Sequence, residues 1–180
     1  DRTRPAVADA QLHSAEEDRY AAMLPLVKKY NCAVTALCMS DAGMPSSAEE
    51  RVKIGAALVE RLGRDGIEPR RIYMDPLVVP VSVSTGNGLA VMDAVRQLKS
   101  KFPELRIVCG LSNVSYGLPG RGLINRIFLS LLVAGGLDAA ILDACDVKLM
   151  SALRAALLLC DRDPYCANYI KAFREQKLDV

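Results

Sequence analysis

"RIVCGLSNVSYGLPGRGLINRIFLSLLVAGG", residues 106–136, holds one complete unit of the fold. Arg106 to Gly110 is apolar and β-branched at its centre, the pattern of a central strand buried on both faces. Ser112, Asn113 and Ser115 then place three polar side chains where the strand ends. Gly117, Gly120 and Gly122 follow in a loop, and Leu123 to Val133 turns helical. A strand, a polar tip and a helix make a parallel-sheet unit, whose carboxyl end is where α/β proteins build sites. A core has no use for three polar groups there; a ligand does.

The same unit recurs along the chain. Ala33 to Met39 ("AVTALCM"), Ile72 to Met74 and Ala139 to Leu142 read as three more strands. A capping box at Ser14–Glu17 opens a helix with an apolar stripe at Tyr20, Met23, Leu24 and Val27. A second, in "SSAEE" (46–50), opens a helix carrying Ile54, Leu58 and Leu62 that stops at Gly63. Leu89, Met92, Val95 and Leu98 mark a third, ending before Pro103, and Val147 to Leu159 reads as a helix too. Asp163–Pro164 reads as an N-cap with proline at the first helical position, opening a terminal helix through Phe173. Four strands alternating with helices predict an α/β fold with a parallel sheet. Two architectures satisfy that: an open doubly wound sheet, or part of a (β/α)8 barrel. A complete barrel takes about 250 residues, so a barrel reading makes this chain of 180 residues a partial one.

Composition narrows the partners. A net charge of +2 with interspersed signs gives no electrostatic footprint for nucleic acid or anionic lipid. Tryptophan is absent and aromatics are 5%, so no stacking platform for single strands exists. No apolar run approaches the roughly 18 residues of a membrane span, and "DRTRPAVADAQ" lacks the apolar stretch of a signal peptide. The chain starts without Met, which reads as processing or excision from something longer. Six cysteines, most in apolar surroundings and none in a CxxC, read as reduced core thiols of a cytoplasmic protein.

Every strand ends in a polar cluster: Ser40–Asp41, Asp75–Pro76, Ser112–Asn113 and Asp143. Ser40, Asp41 and Asp143 are read as turn formers and caps. Asp75 differs, because it sits between "RIYM" and "PLVVP" where a cap has little purpose. A partly buried carboxylate needs donors from a neighbour or a ligand, and Asn113 is placed in the same class. The lone His13 lies near the start, which argues against Ser-His-Asp or Cys-His chemistry. No zinc spacing, dinucleotide fingerprint or P-loop is present. The pairs Lys28–Lys29 and Arg70–Arg71 are read as solvated faces.

"YMDPLVVPVS" (73–82), "GLSNVSYGLPGRGLINR" (110–126) and "GLDAAILDACD" (136–146) together resemble the methyltetrahydrofolate:corrinoid methyltransferases. These are pterin-binding (β/α)8 TIM barrels related to dihydropteroate synthase and to the folate module of methionine synthase. The likeness runs from about Ser14 to about Phe173. It implies a domain 14–180, the C-terminal part of such a barrel with about its last four βα units, behind a disordered or atypical segment 1–13. "GLP.R..IN" after "SNVS" is similar to the stand-alone enzymes of anaerobic one-carbon metabolism. A dihydropteroate synthase-like enzyme, the alternative, would show "DPG" with a following lysine, whereas here Asp75 is followed by Pro-Leu.

The resemblance implies roles residue by residue. Asp75 matches the carboxylate that accepts from the pterin edge, and Asn113 the amide that approaches N5 and serves catalysis. Ser115, Arg121 and Ile141 match substrate-binding positions at the pocket. Its expected reaction moves the N5 methyl of methyltetrahydrofolate to the Co(I) of a corrinoid (cobalamin-type) cofactor. That cofactor is carried by a partner, a corrinoid iron–sulfur protein or similar. A homodimer is expected, and no metal bound by this chain. The family begins with three more strands, and "AQLHSAE" (10–16) stands where it has Asn-Ser-x-Ser-Ala-Glu. Gln11 falls nearest the Asn, and neither Gln11 nor His13 receives a role. A truncated, inactive pterin-binding fragment is the other reading.

Overall fold

The computed structural model describes residues 7–12, 17–40 and 43–179, with 7–12 and 17 described for backbone alone. Ser14, His13 and Asp41, and with them the first capping box, lie outside the described residues. Five strands alternate with helices: β1 Val7–Leu12, α1 Glu17–Tyr30, β2 Ala33–Leu37, α2 Ala48–Arg64, β3 Ile72–Asp75 and α3 Asn87–Lys101. They continue as β4 Arg106–Gly110, α4 Arg121–Gly135, β5 Ala139–Ile141, α5 Val147–Leu159 and α6 Ala167–Arg174. All pairings are parallel, and the order across the sheet is β1-β2-β3-β4-β5.

That order decides between the two architectures left open by the sequence. A doubly wound sheet reverses direction at a switch point, whereas a barrel adds each strand beside the last. Here no reversal occurs, and right-handed crossovers then put every helix on one face. The chain therefore has the α/β fold of a partial barrel. Period-two alternation sorts the side chains. Val34, Ala36, Ile72, Met74, Ile107 and Cys109 join Leu58, Leu62, Val95, Leu98, Leu129 and Leu132 in the core. Register places Thr35, Tyr73 and Arg106 at one level of the other, concave face, with Leu37 and Asp75 above them.

One strand was not anticipated. Val7–Leu12, within the segment set aside as atypical, pairs with β2 from Val7↔Ala33 to Leu12↔Ala36, with a register shift between Ala8 and Gln11. Its "VADAQL" carries two polar residues in six, so it lacks the continuous apolar run of the other strands.

Local rules account for most boundaries. Ser47 caps α2 by accepting from the Glu50 N–H at 3.1 Å, while the Glu50 carboxylate accepts from the Ser46 N–H at 2.8 Å. Asp163 does cap the last helix, but across an intervening 3-10 turn, Pro164–Cys166. Its carboxylate accepts from the backbone N–H of Asn168 and of Tyr169, both at 2.9 Å. The apolar stripe of α3 is also displaced: Leu89 is exposed, and Val91, Ala94, Val95 and Leu98 are buried.

Candidate functional site

Asp75 ends β3 on the concave face, level with Leu37 of β2. Its neighbour-supplied donor is its own turn, since Oδ1 accepts from the Leu77 N–H at 2.8 Å. Leu77 sits at φ +58°, a conformation uncommon for a non-glycine residue. Burial pushes the Asp75 carboxyl up to about 6, against the lowering effect of that one hydrogen bond. The thiols of Cys38 and Cys109 lie on the helix-facing side of the neighbouring strands, within reach of its charge. Burial first, then the Asp75 charge, pushes each up to about 12, so both are protonated at neutral pH.

After β4 the chain tightens into a 3-10 turn, Leu111–Ser115. Leu111 and Val114 are buried, which turns Ser112 and Asn113 outward. Asn113 is exposed, not partly buried as its sequence setting suggests. Its Nδ2 lies 3.8 Å from where a Gly110 Cβ would stand, so the amide folds back over the end of β4. No described residue hydrogen-bonds to that amide, leaving both its donor and its acceptor available. Ser115 is fully buried, donating from Oγ to the Ser112 carbonyl and accepting from Arg121 Nε at 3.0 Å. Arg121 also donates from Nη2 to the Ser112 carbonyl at 2.8 Å. These two residues brace the turn that carries Asn113.

Two loops meet beside the pair. The Val81 N–H donates to the Val114 carbonyl at 3.0 Å, and Ser82 Oγ donates to the Tyr116 carbonyl at 2.7 Å. Thus the β3–α3 loop, which follows Asp75, is tied to the turn that carries Asn113. Ile141 is paired with Gly110 across β4 and β5 and is 69% exposed, an apolar side chain at the rim of the same mouth. Asp143 behaves as the turn former expected, its Oδ1 accepting from the Cys145 N–H.

The fold therefore gathers Asp75, Asn113, Ser115, Arg121 and Ile141 at the carboxyl ends of β3, β4 and β5. Gln11 pairs through its backbone with Thr35, and its side chain is not described. Sequence reasoning missed Arg51, which is fully buried beneath this site. Its signal was present: residues 51, 55, 58 and 62 form one helical stripe, three of whose members are apolar or glycine.

A cavity of about 480 Å3 lies at the other end of the strands, lined by Asn31, Ala33, Arg71, Tyr73 and Arg106 among others. It is remote from the strand tips by topology, since Ala33 and Arg106 begin their strands. Arg71 there is no solvated charge. It donates to the Cys32 carbonyl at 2.6 Å and the Val27 carbonyl at 3.3 Å, closing the end of α1. Among the described residues no group of His, Cys, Asp and Glu could hold a metal ion, and no helix is long and apolar enough to cross a membrane.

Residues 6–143 match the family described as pterin binding enzyme. The chain is 31% identical over 167 residues to methylcorrinoid:tetrahydrofolate methyltransferase of Eubacterium limosum, covering 92% of this chain and 62% of that protein. It is 31% identical over 142 residues to methionine synthase of Mycobacterium tuberculosis, covering 75% and 12% respectively. The methionine synthase of Mycobacterium leprae is 30% identical over 138 residues, covering 73% and 11%. The chain thus spans less than two thirds of each of these relatives.

Proposed function

This chain belongs to the pterin-binding enzyme family, and on that premise we propose that it forms the folate pocket of a methyltransferase. The reaction moves a methyl group between N5 of a tetrahydrofolate and the cobalt of a corrinoid carried by a partner protein. One observation carries the reading: a half-buried carboxylate, Asp75, shares a strand-end mouth with an unengaged amide, Asn113. The names of relatives support the two substrates.

Asp75 has one oxygen fixed by Leu77 and lone pairs left for a ligand. A pterin edge offers an N–H beside an exocyclic amine, which a carboxylate accepts side by side. That assigns the ionised form of Asp75 to binding. Ile141 supplies apolar contact for the flat ring. Asn113 lies further along the strand direction, where its amide can donate to or accept from N5 as that nitrogen changes protonation. A tertiary amine leaves poorly, so a proton shared onto N5 is the activation the step needs. Ser115 and Arg121 hold the Asn113 turn, and Arg121 retains N–H groups for the ligand. The corrinoid supplies the nucleophilic cobalt.

The direction written from the resemblance is folate to corrinoid. The Eubacterium limosum relative's name puts the methyl on the corrinoid. Both directions cross one transition state, so the same residues serve either. Corrinoid partner, iron–sulfur character and homodimer come from the resemblance, and the cytoplasmic location from the cysteines read as reduced thiols.

A second reading is pterin binding without turnover by this chain alone. Five strands are described where eight close a barrel, which favours it. Calorimetric titration with methyltetrahydrofolate tests the common core of both readings. Saturable binding, weakened by Asp75→Asn, is expected; a folded chain that binds nothing, with and without the remaining strands restored, defeats the folate assignment. Methyl transfer to cob(I)alamin, lost in Asn113→Ala, separates the enzyme from the binder.

A further inference from the structure

Arg51 poses a problem of its own. It is fully buried on α2, yet no carboxylate among the described residues pairs with it. A buried cation without a counter-ion is expensive, and an apolar side chain would fill the space at lower cost. All three of its hydrogen bonds go to backbone carbonyls. Nη1 donates to Ser47 at 3.0 Å, within its own helix's first turn. The other two cross to the loop after β3: Nε donates to the Pro76 carbonyl at 2.8 Å and Nη2 to the Leu77 carbonyl at 3.3 Å.

Those two carbonyls belong to the residues immediately after Asp75. Pro76 has no N–H to anchor its own turn, and Leu77 stands at φ +58°. A leucine leaves that region readily unless its surroundings hold it there. In it, the Leu77 N–H points back to Asp75 Oδ1. Resting on the pterin reading of Asp75, we propose that Arg51 is a positioning residue for the Asp75 carboxylate. It grips the Pro76 and Leu77 carbonyls so that Leu77 fixes one Asp75 oxygen and leaves the other for the ligand.

A planar fork suits this task and an ammonium does not, because two carbonyls must be held at once in fixed directions. The titratable groups of the neighbouring strands within reach of the Asp75 charge are Cys38, just past β2, and Cys109 of β4, both neutral thiols on the helix-facing side of the sheet. Arg51, from α2, is near enough for its charge to act on the Cys38 thiol, and Glu50 beside it is turned away to Ser46. Losing the Leu77 hydrogen bond removes the one contact that favours ionised Asp75, so its titration moves to higher pH.

The test reads Asp75 directly, without needing ligand. The Asp75 carboxyl carbon, assigned by its disappearance in Asp75→Asn, is followed by NMR against pH in the unliganded chain. Arg51→Met, which keeps an apolar side chain of similar length, is expected to raise the midpoint by about one unit, tenfold in proton affinity. The Leu77 amide should also cease to follow the titration. Arg51→Met combined with Leu77→Gly should bring the midpoint partway back, because glycine adopts positive φ freely; a merely space-filling Arg51 predicts no such rescue. If Arg51→Met does not fold, Arg51→Lys keeps the charge without the fork and is expected to give the same upward shift. A folded Arg51→Met or Arg51→Lys with an unchanged midpoint overturns the proposal, as does an unrescued double variant. Methyltetrahydrofolate titrations at pH 6.5 on the same proteins form a separate arm. There Arg51→Met should bind about threefold more weakly, because a one-unit rise from about 6 cuts the ionised fraction of Asp75 by about that factor at this pH. Absence of folate binding by every variant, with the NMR behaviour as expected, removes the pterin assignment and leaves the positioning of Asp75 by Arg51 standing.

Discussion

Leu77 donates its backbone N–H to the Asp75 carboxylate at 2.8 Å, and among the described residues this is the only hydrogen bond that the carboxylate accepts. One donor does not offset its burial, and Asp75 is pushed up to about 6. The native state therefore holds this proton where the unfolded chain has released it. Stability falls as pH rises through the window from about 4 to about 6, then levels off. The Asp75→Asn protein should lose that slope. At pH 8 it should be more stable by about 1–2 kcal/mol, a figure reduced for the partial exposure of the group. Urea denaturation at pH 5 and pH 8 measures both effects, and methyltetrahydrofolate affinity should fall about tenfold or more in the same variant.

Asn113 makes the opposite trade. Its amide is exposed and engages no described residue, so Asn113→Ala should leave stability within about 0.5 kcal/mol. Methyl transfer, assayed with cob(I)alamin, should drop about 100-fold or more, with folate affinity changed far less. A parallel loss of melting temperature and activity would instead make Asn113 a structural residue.

Ser115 and Arg121 should separate from Asn113 by thermal unfolding. Ser115→Ala removes a buried hydroxyl that both donates to Ser112 and accepts from Arg121, at a cost of about 1 kcal/mol. Arg121→Ala should cost a similar amount and weaken folate binding through the loosened turn. A Ser115→Ala protein with wild-type stability and lost affinity would show direct contact with the ligand.

Far from the mouth, Gly136 ends α4 at φ +104°, and an added Cβ would stand 3.0 Å from Lys99 Cγ. Lys99 cannot yield freely, because its Nζ donates to the Leu105 carbonyl at 2.8 Å and pairs with Asp138. Gly136→Ala is expected to destabilise the chain by about 1–3 kcal/mol without changing the pH dependence of folate binding. Chemical denaturation and the calorimetric titration check the two halves of that statement.

The legible part of this molecule is the part written in local pattern. Apolar runs located β2 to β5 to within two residues, because their helix-facing positions are apolar throughout and polar residues on the other face are few. β1 escaped because "VADAQL" mixes polar residues into an edge position. Asp75 was legible as a carboxylate lacking an obvious cap to serve, and the structure supplies the Leu77 N–H as its neighbour. Asn113 was legible as a polar break, but its exposure follows from the 3-10 turn that buries Leu111 and Val114 instead. The partners of Arg51 and Arg71 were not legible, although the stripe at 51, 55, 58 and 62 marks Arg51 as buried. Both spend their guanidinium groups on carbonyls 25 or more residues away in sequence, and tertiary contacts of that kind leave no local periodicity.

The expectation of core thiols holds fully for Cys38 and Cys109 alone; Cys32 and Cys160 are half-buried. Cys38 and Cys109 are held protonated, whereas Cys145 and Cys166 are exposed. Maleimides and oxidants react with thiolates they can reach. Under mild conditions a dye or spin label will therefore attach first at Cys145 and Cys166, more slowly at the half-buried Cys32 and Cys160, and leave Cys38 and Cys109 unmodified. Cys145 lies just past Asp143, on the loop that follows Ile141 at the rim. With Cys32, Cys160 and Cys166 replaced by serine, Cys145 is left as an attachment point for a probe that senses an occupant arriving at the mouth.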